Sequence, residues 1–152
     1  MRRKGFTLLE LAIVLVVIGL LIALVMRGMA LQSSAKVKRT AGDIRNIHTA
    51  VMVYYSRKGA YPGDTDADGF IDNDATAWDS LAYYSIAFKK PSPYGTDYKL
   101  DTAYVNSVNR NVIKVVVPYA DARVEIDKLI DDGTTAAGAL ITRQDTLVYV
   151  IE

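Results

Sequence analysis

The chain has 152 residues, of which 51% are apolar, and it contains no cysteine. This length allows one modest hydrophobic core, and the lack of cysteine excludes disulfides and thiolate metal sites. The formal net charge of +1 does not favour a nucleic-acid-binding protein, because such proteins usually carry a strongly basic surface.

The apolar residues are concentrated near the amino terminus. Between Phe6 and Met26 the only charged side chain is Glu10. A helix of this length would be about 30 Å long, enough to cross the hydrocarbon core of a bilayer. Basic residues occupy positions 2–4, before the apolar run. Their position predicts that this end of the chain stays in the cytoplasm.

A second helical pattern follows the apolar run. Apolar side chains recur at three- and four-residue spacing from Ala41 to Tyr54, and no proline occurs before Pro62. This spacing predicts a single helix from about residue 6 to about residue 57, ended by Gly59 and Pro62. The predicted organisation is a leader at residues 1–5, a membrane helix at 6–28, an amphipathic half of the helix at 29–57 and a globular head at 58–152.

The head alternates between turn-rich loops and short regular elements. Runs of β-branched residues predict strands, and helical spacing predicts two short helices. The predicted elements are a helix at residues 78–88 with Asp74 or Thr76 near its start, strands at 98–105 and 111–117, a helix at 121–130 and a closing hairpin of residues 139–142 and 146–151. The fold class is therefore α+β, with the long amino-terminal helix packed on a small antiparallel β-sheet.

The junction between the leader and the apolar run has a specific pattern. Gly5 is followed by Phe-Thr-Leu-Leu and then by Glu10, directly before the uncharged part of the helix. This pattern resembles the prepilin signal of type IV pilins and of type II secretion pseudopilins. The stretch at residues 127–133 is also similar to one near the end of many pseudopilin-like heads. The resemblance implies that a prepilin peptidase cuts between Gly5 and Phe6 and methylates the new amine of Phe6.

Glu10 has a physical role if that cut is made. A carboxylate near the end of a membrane helix is costly to bury, so it should be neutral or paired. The new amine of Phe6 would lie four residues away, one helical turn, so the two groups could meet within a chain or between neighbouring chains. The alternative is that Glu10 lies in the headgroup region and needs no partner.

The resemblance further implies a structural role without catalysis. Subunits would leave the inner membrane and polymerise through their amino-terminal helices into a homo-oligomeric helical filament, with an assembly ATPase and a platform protein as partners. Two destinations fit: an extracellular type IV pilus, or a periplasmic type II secretion pseudopilus that drives protein export. A further alternative is a membrane-anchored extracytoplasmic binding domain, which explains the apolar run but not Glu10. No specific nucleic-acid partner is predicted.

Five aspartates lie within residues 64–74, and this stretch resembles a calcium loop of the EF-hand kind. The predicted calcium ligands are the backbone carbonyl of Phe70 and the carboxylates of Asp64, Asp66, Asp68, Asp72 and Asp74. Ala75 stands where such a loop has its bidentate glutamate. The alternative is a solvated loop in which aspartate and glycine form turns, with no cofactor.

His48 is the only histidine and lies on the amphipathic part of the predicted helix. The chain has one histidine and no cysteine, and this does not indicate a catalytic pair of nucleophile and base. We therefore predict that His48 packs the helix against the head and that the chain is not an enzyme.

Overall fold

The structure is a computed structural model that describes residues 6–87, 89–131, 133, 136 and 138–151. The predicted leader, including Gly5, lies outside the described residues. The described part contains three helices and four strands in the order α1 Leu8–Lys58, α2 Asp74–Tyr83, β1 Lys99–Val105, β2 Val108–Val116, α3 Ala120–Ile130, β3 Leu140–Arg143 and β4 Thr146–Val150. This arrangement confirms the predicted α+β class.

The chain forms two compact units, which divide between Ala35 and Lys36. In the first unit every residue from Phe6 to Ala35 is solvent-exposed, including large apolar side chains such as Leu8 at 87% and Leu31 at 72%. The helix here is long and apolar enough to cross a membrane. Apolar surface of this extent marks a segment that lipid or other protein chains cover.

The second unit has its hydrophobic core between the amphipathic part of α1 and one face of the sheet. The helix contributes Val37, Ala41, Ile44, Ile47 and Val51, at the spacing that the sequence predicts. Opposite them lie large buried side chains from α2 and the sheet: Trp78, Leu81, Leu100, Ile113 and Leu147.

The sheet has the strand order β1-β2-β4-β3, and all its pairs are antiparallel. The first hairpin turns through Asn106 and Ser107, which both have positive φ, as a type I′ turn requires. A second apolar cluster on the outer face of the sheet comprises Val105, Val112, Ile141, Val148 and Val150. The sheet therefore carries buried apolar side chains on both of its faces.

Two element boundaries differ from the sequence predictions. Helix α2 begins at Asp74, one of the two residues predicted near its start, because the side chain of Asn73 accepts hydrogen bonds from the backbone N–H groups of the first turn. It ends at Tyr83, and the predicted end at Phe88 lies outside the described residues. Strand β2 begins at Val108, three residues early, because the hairpin turn occupies only two residues.

Asp43 is the carboxylate that links α1 to the segment leading into β1. It is only 5% exposed, and it accepts hydrogen bonds from the ammonium of Lys90 at 2.5 Å and from the hydroxyl of Tyr98 at 3.1 Å. Burial, followed by the charge of Asp43, raises the pKa of Tyr98 well above its usual value. Tyr98 therefore remains a hydrogen-bond donor at physiological pH.

Asn111 holds the loop after α1 to the sheet. Its side chain is buried on β2, where the amide oxygen accepts from the N–H of Ile71 at 2.8 Å and the amide nitrogen donates to the carbonyl of Gly69 at 2.9 Å. The backbone carbonyl of Asn111 accepts from the N–H of Ile151 at 2.8 Å. The side chain of Asn111 thus supplies hydrogen-bond partners to two backbone groups of the loop.

Replacing Asn111 with alanine should lower the free energy of unfolding of the head by about 2–3 kcal/mol, because it leaves a buried N–H and a carbonyl without a partner. Urea unfolding of the full chain in detergent, followed by the fluorescence of Trp78, measures this loss. Asn109→Ala is the matched control, since Asn109 is exposed on the same strand. Equal unfolding midpoints for the two variants would contradict the role of Asn111.

Candidate functional site

Thr7 and Glu10 form a reciprocal hydrogen-bonded pair at the start of α1. The backbone N–H and the hydroxyl of Thr7 both donate to Oε2 of Glu10, at 2.9 and 3.0 Å. The N–H of Glu10 donates in return to the hydroxyl of Thr7 at 3.2 Å. This arrangement is a capping box, which satisfies donors that the first helical turn leaves without partners.

The capping box adds Thr7 to the residues that sequence reasoning identified. The signal was present in the sequence, since a threonine three residues before a glutamate, just ahead of an apolar run, is typical of a helix start. Glu10 therefore has a local partner within the subunit. Among the described residues, its second carboxylate oxygen receives no hydrogen bond.

Phe6 lies just before α1 and is 85% exposed, and Glu10 is exposed in the first turn of α1. The other half of the predicted cleavage junction, Gly5, lies outside the described residues. The carboxylate of Glu10 is therefore oriented by Thr7 and lies four residues from Phe6, whose amine the predicted cleavage would create.

Residues 63–72, called here the aspartate loop, follow the end of α1. Its ends are joined by a hydrogen bond from the N–H of Asp72 to the carbonyl of Gly63 at 3.2 Å. Gly63 has φ of +79°, and a Cβ there would lie 2.8 Å from the backbone nitrogen of Ala77. A side chain at this position would therefore push the loop away from α2.

The aspartate loop brings three of the predicted calcium ligands together. One carboxylate oxygen from each of Asp64, Asp66 and Asp72 lies within 4.8 Å of the others. Two Ca–O bonds of about 2.4 Å on opposite sides of an ion span about 4.8 Å, so this spacing fits a calcium ion. The same carboxylates also accept backbone hydrogen bonds within the loop, for example from Ala67 and Gly69 to Asp64.

Asp68 and Asp74 are not members of this cluster. Asp68 accepts a hydrogen bond from the N–H of Phe70 at 2.8 Å. Asp74 faces β1, because it accepts from the indole of Trp78 at 2.9 Å, the N–H of Leu100 at 2.8 Å and the ammonium of Lys89 at 2.6 Å. Asp74 therefore joins α2, β1 and the intervening loop.

The aspartate loop carries uncompensated negative charge. In the part of the chain that the structure describes, no lysine or arginine lies within ion-pair distance of Asp64, Asp66, Asp68 or Asp72. Hydrogen bonds from the hydroxyl and the N–H of Thr65 lower the pKa of Asp72 below its usual value. This carboxylate is therefore ionised at physiological pH.

His48 packs in the way that the sequence predicts. It is half-buried, and its ring meets the ring of Tyr149 edge-on, with centroids 5.4 Å apart. Burial lowers the pKa of His48, so its imidazole is mainly neutral at pH 7.

Residues 1–26 match a protein-family model described as the prokaryotic N-terminal methylation motif. No curated protein and no solved structure matches the chain. This motif and the exposed apolar helix fit membrane anchoring, and they support a type IV pilin-like or pseudopilin protein. The chain thus carries at its amino terminus the prepilin signal of type IV pilins and pseudopilins.

Proposed function

We propose that this protein is the structural subunit of a type IV pilus-like filament. The observation that carries the proposal is the methylation motif at residues 1–26, continuous with an apolar helix whose surface is uncovered through Ala35. Lipid covers this surface before assembly, and the helices of other subunits cover it in the filament. Both environments are apolar, so one sequence serves in both.

The processing step prepares the helix for assembly. A prepilin peptidase cuts between Gly5 and Phe6 and methylates the amine of Phe6, which places a positive charge one helical turn from Glu10. The capping box orients the carboxylate through one oxygen and leaves the other available to the amine of the same or a neighbouring chain. In an apolar bundle an unpaired charge costs several kcal/mol, so subunits add in the register that pairs it.

Two other functions are distinguishable by experiment. A type II secretion pseudopilin would have the same processed amino terminus, but its filament would remain periplasmic and drive protein export. A membrane-anchored binding domain would keep its anchor uncleaved. The pilus-like proposal also includes an assembly ATPase and a platform protein as partners, and it assigns no catalysis to the chain.

The mature chain should begin at N-methylated Phe6, which mass spectrometry of the protein from cells would show. Gly5→Leu should abolish cleavage, since a side chain at this position crowds the peptidase site, while Arg3→Gln should leave cleavage intact. A mature chain that starts at Met1, or beyond Met26, would contradict the proposed processing.

Removing the charge of Glu10 should lower the yield of sheared filaments by at least about tenfold, because the Phe6 amine loses its partner in the apolar bundle. Two variants separate charge from capping. Glu10→Ala removes both, whereas Glu10→Gln keeps an oxygen for the N–H of Thr7 without the charge.

Both Glu10 variants should be cleaved normally and should fail in assembly alike. Glu125→Ala is the matched control, since Glu125 is exposed on α3. Normal assembly of Glu10→Gln would show that helix capping, and not ion pairing, is the role of Glu10.

We also propose that the aspartate loop binds calcium through Asp64, Asp66 and Asp72, with the carbonyl of Phe70 as a further ligand. The clustered carboxylate oxygens support this assignment, and so does the absence of any lysine or arginine ion-paired with them among the described residues. The ion would neutralise the repulsion within the loop and close it, which stabilises a head that has no disulfide.

Calcium should raise the melting temperature of the full chain in detergent, and EGTA should reverse the increase. Asp66→Asn should abolish this response, whereas Asp79→Asn, an exposed change on α2, should preserve it. Asp74→Asn should lower stability but keep the calcium response, because Asp74 lies outside the cluster. An unchanged melting temperature of the unmodified protein with calcium would refute the calcium site.

A further inference from the structure

Arg27 is the one basic residue in the exposed apolar segment from Phe6 to Ala35. It lies 17 residues after Glu10, the one acid of this segment. Its neighbours on the helix surface, three and four residues away, are all apolar: Ala23, Leu24, Ala30 and Leu31. In the part of the chain that the structure describes, no carboxylate lies within ion-pair distance of Arg27.

Any environment that covers the apolar surface around Arg27 also surrounds its guanidinium. Leu24 is 64% exposed and Leu31 is 72% exposed, so lipid or protein has to cover both. A guanidinium stays charged at physiological pH, so the same environment must supply an acceptor. In the membrane, Arg27 would directly follow the apolar span that ends at Met26, where lipid phosphates are within its reach. A subunit that leaves the membrane loses those phosphates.

The acids of the same chain cannot replace the lipid phosphates. Glu10 is about 25 Å from Arg27 along the helix axis, far more than an arginine side chain spans. The next acid in the sequence, Asp43, is buried in the second unit and is ion-paired with Lys90. The acceptor for Arg27 outside the membrane must therefore come from another molecule.

The positions of Glu10 and Arg27 suit a contact between parallel copies of the helix. The basic residues of the leader predict that every copy keeps the same end in the cytoplasm, so neighbouring copies are parallel. Each residue turns the helix by about 100°, so the two side chains project about 100° apart and lie on different faces. A contact that joins two different surfaces of one subunit is head-to-tail, and such contacts build open helical filaments.

We propose that Arg27 of one subunit pairs with Glu10 of another copy of this chain, displaced by about 25 Å along the helix axis. This inference rests on the filament proposed above, and it adds a register to it. The occupant is a second copy because its Glu10 is the oppositely charged group in the same apolar surface.

Glu10 has room for this second partner. Its Oε2 accepts the two hydrogen bonds from Thr7, whereas its Oε1 accepts none among the described residues. A carboxylate oxygen has two acceptor sites, which suffice for the amine of Phe6 and for one N–H of Arg27. The pairing with Arg27 therefore adds to the proposed pairing with Phe6 and does not compete with it.

Removal of the Arg27 charge should have opposite effects in two backgrounds. Arg27→Gln alone should lower the yield of sheared filaments about fivefold, relative to mature protein in the membrane, because Glu10 loses a partner. In the Glu10→Gln background it should raise the yield, because the guanidinium has no carboxylate to meet in the apolar bundle. Lys38→Gln, an exposed change on the same helix, should have no effect in either background.

The lack of cysteine permits a direct test of the register by disulfide crosslinking. Ile13 and Ala30 lie one helical turn beyond Glu10 and Arg27, so the proposed displacement brings them level with each other. An intrachain disulfide is excluded, because about 25 Å separates the two positions on one helix. Oxidised filaments of Ile13→Cys/Ala30→Cys should give a ladder of crosslinked multimers. The control pair Ile13→Cys/Ala23→Cys fits a displacement of only about 15 Å and should give mainly monomer.

The outcomes separate this inference from the proposed filament itself. A filament yield that Arg27→Gln leaves unchanged or increases in the wild-type background overturns the pairing. An equal loss in both backgrounds also overturns it, and indicates that Arg27 acts through lipid phosphates. A ladder that is no stronger for the first cysteine pair than for the control pair overturns the register. Each of these results, on filaments that begin at methylated Phe6, leaves the filament proposal intact, whereas a protein that forms no filaments refutes the proposed function.

Discussion

The apolar surface from residue 6 to residue 35 is the constraint on which the molecule depends, because its own subunit leaves that surface uncovered. Exposed apolar area costs roughly 25 cal/mol per Å², so the segment requires lipid or other helices around it. Either environment satisfies the aliphatic side chains equally well. Glu10 is the one charged group between Phe6 and Met26, and in the proposed filament it distinguishes the two environments, because a bundle brings the amines of neighbouring processed chains close to it.

The head has no disulfide, and buried polar side chains take over the task of joining its loops to its regular elements. Asn111 fixes the aspartate loop to β2, Asp43 fixes the segment before β1 to α1, and Asp74 joins α2 to β1. Each of these groups satisfies partners that would otherwise be buried without a hydrogen bond. The loops therefore keep defined positions although the core is small.

The long helix, the closing hairpin and the α+β class were predictable, because apolar periodicity reports which side of an element is buried. The start of α2 near Asp74 was predicted, but the capping role of Asn73 was not, because Asn73 lies within a run of aspartates that also predicts a turn. The partners of Asp74 could not be read from the sequence, since Leu100 lies 26 residues and Lys89 lies 15 residues away along the chain. Asp74 therefore had the same predicted role as its neighbours, and only the fold shows that it faces the sheet.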